Sequence, residues 1–79
     1  MEFKVIYDDN YNDLGVDIDT YNSKAEAESD IEYQITHVCE YYTKRNIVPE
    51  RKDYVDDKGR NVTEITTEND GWSKWIREY

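Results

Sequence analysis

The segment from Ser23 to Asn46, SKAEAESDIEYQITHVCEYYTKRN, carries the strongest structural signal of the sequence. Ser23 and Glu26 fit a capping box, in which each side chain accepts a hydrogen bond from a free backbone N–H at the start of a helix. Asn46 tolerates the left-handed conformation that ends many helices, and Pro49 prevents continuation. Apolar residues recur between these signals at helical spacing and predict one buried face, formed by Ala27, Ile31, Ile35, Val38 and Tyr42.

Two runs of alternating residues precede this helix, at positions 2–8 and 15–21. Alternation is typical of strands with one buried face, and the polar loop between the runs favours an antiparallel hairpin. In the second run, the alternation assigns Asp17 and Asp19 to the solvent face and the aliphatic residues to the other face.

Strand signals after the helix are weaker. Residues 53–56 form a short candidate strand, and residues 60–67 are rich in β-branched side chains that suit a strand. Gly59 lies between them, at a position of the DDKG sequence where a tight turn needs positive φ.

The C-terminal segment NDGWSKWIREY allows two interpretations. In a strand, Trp72 and Trp75 would face opposite ways, whereas a helix would bring the apolar residues into one stripe. Asp70 could cap such a helix, and we therefore expect a short C-terminal helix with a frayed end. Its stripe consists of Trp72, Trp75, Ile76 and Tyr79.

These elements together predict an α+β fold. The expected order is ββαββ, followed by the short helix, with one main helix packed on one face of a small antiparallel sheet. The sequence has 79 residues without a repeat or linker, so we expect a single domain over residues 1–79.

The charge balance restricts the classes of partner. The net charge is −9, and such a surface repels nucleic-acid phosphates and anionic membranes. A basic protein surface is the favoured partner. The single cysteine, Cys39, excludes an internal disulfide and fits a reducing cytoplasm, and no apolar run approaches the length needed to span a bilayer.

The sequence offers no recognisable catalytic or metal-binding pattern. His37 and Cys39 are two residues apart on the predicted helix and point about 200° away from each other, so they cannot act as a nucleophile and base. Neither Gly15 nor Gly59 fits the central position of a calcium-binding loop, and no Cys/His cluster suits zinc. We expect no enzyme activity, metal or cofactor.

Acidic residues are concentrated where the second strand leads into the helix. Residues 17–34 contain six carboxylates and one cation, Lys24. A solvated acidic face is the simplest explanation, because acids near a helix start stabilise it. Like charges four apart on a helix, however, repel each other. The candidate electrostatic contacts are Asp17, Asp19, Glu26, Glu28, Asp30 and Glu32.

The spacing of these carboxylates suggests a binding function. Residues two apart on a strand or four apart on a helix lie about 6–7 Å apart, on the scale of the charges along a nucleic-acid backbone. Tyrosines are enriched in interfaces, although they also form the edges of small cores. The tyrosines outside the predicted core that we consider as anchors are Tyr11, Tyr21 and Tyr33.

In size, charge and lack of catalytic equipment, the chain is similar to small acidic proteins of phages and mobile elements. This class includes anti-restriction and anti-CRISPR inhibitors that resemble nucleic acid in charge. The similarity implies a non-catalytic inhibitor or adaptor that binds a basic, nucleic-acid-binding enzyme. The alternative is a small structural domain that forms a homodimer through the C-terminal aromatic stripe.

Overall fold

The computed structural model describes residues 2–11 and 15–79. Five strands and one helix follow each other in the order ββαβββ. Their bounds are β1 Phe3–Asp9, β2 Asp17–Tyr21, α1 Lys24–Thr43, β3 Glu50–Val55, β4 Asn61–Thr66 and β5 Trp72–Glu78.

The strands form one antiparallel sheet in the order β2-β1-β5-β4-β3. The first hairpin pairs β1 with β2, and β5 lies between β1 and β4 at the centre of the sheet. The structure therefore confirms a small α+β fold with an antiparallel sheet and one main helix.

The ends of α1 agree with the sequence signals. The Ser23 hydroxyl accepts a hydrogen bond of 3.1 Å from the Glu26 amide, as an N-cap should. At the other end, Asn46 has φ +60°, and the amides of Asn46 and Ile47 donate to the carbonyls of Thr43 and Tyr42, each at 3.0 Å. This pair of bonds is a Schellman motif, which uses otherwise unpaired carbonyls to end the helix.

The core lies between α1 and one face of the sheet. Ala27 and Ile31 of the helix are fully buried against Val5, Ile65 and Trp75 of the three central strands. Burial of such apolar surface is the main source of stability in a chain this small.

The predicted C-terminal helix is wrong, because Trp72–Glu78 is the central strand β5. Trp75 points into the core with no exposed surface, and its indole N–H donates to the side-chain oxygen of Gln34 at 2.9 Å. Trp72 and Ile76 lie on the opposite side of the strand. The predicted single stripe of four apolar residues therefore does not exist.

The turn before β5 explains this difference. Thr67 and Gly71 close a hairpin loop, in which the Thr67 hydroxyl accepts hydrogen bonds from the amides of Asp70 and Gly71 at 3.1 and 2.8 Å. Gly71 has φ +142°, a conformation that strongly favours glycine. Asp70 belongs to this loop and caps no helix.

The second face of the sheet, here called the open face, carries no other element among residues 2–11 and 15–79. A row of apolar side chains crosses it in register, one from each strand. Ile18 lies in this row, so Asp17 and Asp19 lie on the helix side of β2 and not on the face opposite the core. Both side chains are exposed on that side. The row consists of Ile18, Ile6, Ile76, Val62 and Tyr54.

Candidate partner-binding surface

The helix carries its acidic residues on two separate flanks. Positions two apart on an α-helix differ by about 200°, so Glu26 and Asp30 cannot share a side with Glu28 and Glu32. Glu26 and Asp30 lie toward β2, and the other pair lies toward β3 and β4. The candidate carboxylates on the helix therefore do not form one surface, because the core-facing side of α1 lies between the two pairs.

Glu28 is paired with a buried arginine. The Nε atom of Arg77 lies 2.7 Å from the Glu28 carboxylate, and the Tyr79 hydroxyl donates to the same oxygen. Arg77 is only 9% exposed, and its Nη1 donates to the Thr63 hydroxyl at 3.0 Å. Burial alone would raise the pKa of Glu28, but the hydrogen bonds from Arg77 and Tyr79 outweigh it and lower that pKa.

Glu32 also forms an ion pair, and it lines the same surface groove as Glu28 and Arg77. Arg51 donates to both Glu32 oxygens, at 2.9 and 3.1 Å, and its Nε donates to Asp53 at 3.1 Å. The Thr63 hydroxyl donates to Asp53 at 2.6 Å and thereby connects this pair to the Arg77 pair. Hydrogen bonds from Thr63 and then Arg51 lower the pKa of Asp53. Glu28 and Glu32 thus belong to an internal polar network.

The other side of α1 carries a different arrangement, here called the acidic flank and defined as Asp17, Asp19, Glu26 and Asp30. Tyr21 lies at its centre and donates its hydroxyl proton to Asp30. Burial, this hydrogen bond, and the charges of Asp30 and Asp19 raise the pKa of Tyr21. Glu26 and Asp30, the two members on the helix, line a shallow depression together with Tyr21, Ser29 and Tyr33.

Basic residues are segregated from the acidic flank. The five ion pairs among residues 2–11 and 15–79 use only Arg51, Arg60 and Arg77. None of them includes a member of the acidic flank. Lys24, the cation nearest in sequence, lines the groove with Glu28 and Arg51 instead. The negative charge of the acidic flank is therefore uncompensated by ion pairs in the part of the chain that the structure describes.

The three predicted tyrosine anchors lie in three different environments. Tyr21 is half-buried under the helix, whereas Tyr33 is 64% exposed and packs edge-on against His37, with ring centroids 4.4 Å apart. Tyr11 is 67% exposed and donates its hydroxyl proton to the Asp70 carbonyl, beside the C-terminal half of the helix. The structure brings Tyr21 and Tyr33 to the acidic flank and places Tyr11 apart from it.

Sequence reasoning missed the arginines that neutralise two of the six candidate carboxylates. Arg77 occupies an inward position of β5, and Arg51 occupies the helix side of β3. Both assignments require knowledge of the strand register. The inward position of Arg77 was missed because the C-terminal segment was interpreted as a helix. The only available signal was the 200° separation between neighbouring acid pairs on the helix.

Two further observations concern chemistry and the membrane. No group of three or more metal-ligating side chains occurs in the described ranges, and Cys39 is half-buried, which raises the pKa of its thiol. The helix in the described part of the chain is too polar to cross a membrane.

Comparison with known proteins gave no match. No protein-family model, curated protein or solved structure matches the chain. The function must therefore be argued from the surface itself.

Proposed function

We propose that this protein is a non-catalytic inhibitor or adaptor that binds a basic surface of a nucleic-acid-binding protein. The contact would be made by the acidic flank, with Tyr21 and Tyr33 at its centre and rim. The observation that supports the proposal most directly is the distribution of ion pairs. Glu28 and Glu32 form ion pairs with arginines, whereas no member of the acidic flank forms an ion pair among the described residues.

An unpaired acidic surface has specific physical consequences. Carboxylates with no internal cation project a negative potential that attracts a basic groove and accelerates association. Asp17 and Asp19 lie about 6.6 Å apart along the edge strand, on the scale of the charges along a nucleic-acid backbone. Such a surface fits a groove built for DNA or RNA. We expect the protein to belong with the inhibitors of phages and mobile elements and to act in the cytoplasm.

The proposal is tested by capture of partners with a charge-altered variant and a matched control. The flank variant carries Asp17→Lys, Asp19→Lys and Glu26→Gln, and it leaves Asp30 in place because that carboxylate holds Tyr21. The control variant carries Glu50→Lys, Glu68→Lys and Glu40→Gln at exposed positions away from the acidic flank. Both variants change the net charge by the same amount.

We expect the wild-type protein and the control variant to retain a basic nucleic-acid-binding protein from native cytoplasm at about 50 mM salt and to release it at about 500 mM, since screening weakens exposed charge pairs. The flank variant should retain none. A labelled duplex bound to that partner should be displaced by the wild type and not by the flank variant. Equal capture by all three proteins would exclude the acidic flank as the binding surface.

Self-association is a second candidate, favoured by the open face of the sheet. Ile18 and Tyr54 are 56% and 41% exposed and form the two ends of the apolar row across it. Exposed apolar side chains on one surface mark contacts between proteins, although Val62 inside this row is only 2% exposed. Sedimentation of the wild type against an Ile18→Thr variant tests this function, because a homodimer would dissociate in the variant. A wild-type monomer at high concentration would eliminate it.

A further inference from the structure

A second feature of the surface is an aromatic cleft at the C-terminal half of α1. It has a volume of about 290 Å³ and is lined mainly by the apolar faces of Tyr7, Tyr11, His37, Val38, Tyr41 and Tyr42. It lies next to the acidic flank, because the His37 ring that lines the cleft also contacts Tyr33.

The aromatic rings of the cleft are held in place by other residues. The Tyr7 hydroxyl donates to Asp9 at 2.8 Å, and its ring packs against Trp75 with centroids 5.3 Å apart. Tyr41 and Tyr42 pack edge to face at 5.5 Å. A cleft with fixed walls loses little side-chain entropy when a ligand enters.

Two carboxylates, those of Asp9 and Asp70, lie near the cleft. Asp9 accepts hydrogen bonds from the Tyr7 hydroxyl and from the Tyr11 amide, the latter at 2.9 Å, so its carboxylate lies at the wall. Burial, and then the neighbouring Tyr11, Tyr41, Asp70 and Asp9, raise the pKa of Tyr42. Among the described residues that line the cleft there is no lysine or arginine. Aromatic faces and nearby carboxylates both attract cations.

A cation of the chain itself already contacts an aromatic ring beside the cleft. The guanidinium carbon of Arg45 lies 3.7 Å from the centroid of the Tyr41 ring, which is a cation–π contact. Arg45 does not line the cleft, so the remaining aromatic surface is open to a cation from outside.

We propose that this aromatic cleft binds the guanidinium or ammonium group of a basic side chain on the partner protein. The proposal builds on the proposed function, since it names the side-chain chemistry that the same partner inserts beside the acidic flank. The charged group of the inserted arginine or lysine would lie over the ring of Tyr11 and near Asp9, and its aliphatic stem would lie along Tyr41.

The test uses a small cation and needs no partner. The ¹⁵N-labelled protein is titrated with N-ethylguanidinium chloride at pH 8 and constant ionic strength, with N-ethylurea as a neutral molecule of similar shape. We expect saturable shifts of the Tyr11, His37 and Tyr41 amides with the cation, and at least tenfold weaker binding of the urea. Absence of saturable shifts, or equal binding of both molecules, would overturn the inference.

Substitutions then locate the binding. Tyr11→Leu should weaken N-ethylguanidinium binding about two- to fivefold, the usual value of one cation–π contact. Tyr54→Leu is the matched control, an exposed tyrosine on the far edge of the sheet that should leave binding unchanged. Equal weakening in both variants would contradict the assignment to the cleft.

The two proposals can fail separately. The flank variant with Asp17→Lys, Asp19→Lys and Glu26→Gln should lose the protein partner but still bind N-ethylguanidinium in the cleft. A protein that binds its partner through the acidic flank but shows no saturable cation binding would refute the cleft alone. Cation binding without flank-dependent capture would refute the proposed function alone.

Discussion

At the scale of single residues, the surface charge depends on which carboxylates form ion pairs within the chain. The sequence identified the acidic residues around the start of α1 but not which of them are paired, because Arg51 and Arg77 lie 19 and 49 residues further along the chain than Glu32 and Glu28. Ser23 and Asn46, by contrast, act through neighbours in sequence, and both were predicted correctly.

The Glu28–Arg77 pair predicts a dependence of stability on pH. The pKa of Glu28 is lowered in the folded state, so its contribution is fully present above the unfolded pKa of about 4.5 and is lost as the pH falls through the folded value. Glu28→Gln should lower the free energy of unfolding by about 1 kcal/mol at pH 7, a value discounted for the partial exposure of Glu28. The difference from wild type should shrink as the pH falls below about 4.5.

Urea denaturation at pH 7, 5 and 3 measures this effect. Glu26→Gln is the control, since Glu26 lies on the same helix and takes part in no ion pair among the described residues. Its difference from wild type should change less with pH. A Glu28→Gln difference that stays constant from pH 7 to pH 3 would show that the ion pair with Arg77 does not stabilise the fold.

At the scale of elements, β5 is where sequence reasoning failed. Its inward positions are Ser73, Trp75 and Arg77, and two polar residues among three concealed the strand alternation. Trp72, Trp75, Ile76 and Tyr79 also satisfied helical spacing, which is ambiguous over so short a segment. The Asp70–Gly71 dipeptide was the informative signal, because Asp-Gly between two candidate strands favours a hairpin.

The central position of β5 predicts unequal roles for the two tryptophans. Trp75→Ala should lower the free energy of unfolding by about 3–5 kcal/mol, because it removes the largest fully buried side chain and leaves a cavity beside Ile31 and Ile65. For a domain this small, that change is enough to unfold much of the population.

Trp72→Ala is the matched control, since Trp72 lies on the open face and is only partly buried. Its effect should be about 1 kcal/mol. Thermal denaturation followed by far-UV circular dichroism compares the two variants. A Trp75→Ala protein as stable as Trp72→Ala would contradict the position of β5 at the centre of the sheet.

At the scale of the whole molecule, a net charge of −9 is distributed unevenly. Arg51 of β3 and Arg77 of β5 pair with carboxylates on one side of α1, and the acidic flank and aromatic cleft lie on the other side. Composition predicted the sign of the net charge, and the class of partner stays a prediction. The place where the charge accumulates could not be predicted from composition, because it depends on which strands become neighbours in the sheet.

The most direct test of this uneven distribution is an NMR titration of the ¹⁵N-labelled protein with a ten-residue lysine peptide at about 20 mM and 300 mM salt. At low salt we expect the largest amide shifts in the segments 17–21 and 26–33, and their loss at high salt because of screening. Shifts as large at Arg51 and Asp53 in β3, or spread evenly over all exposed carboxylates, would contradict a focused acidic flank.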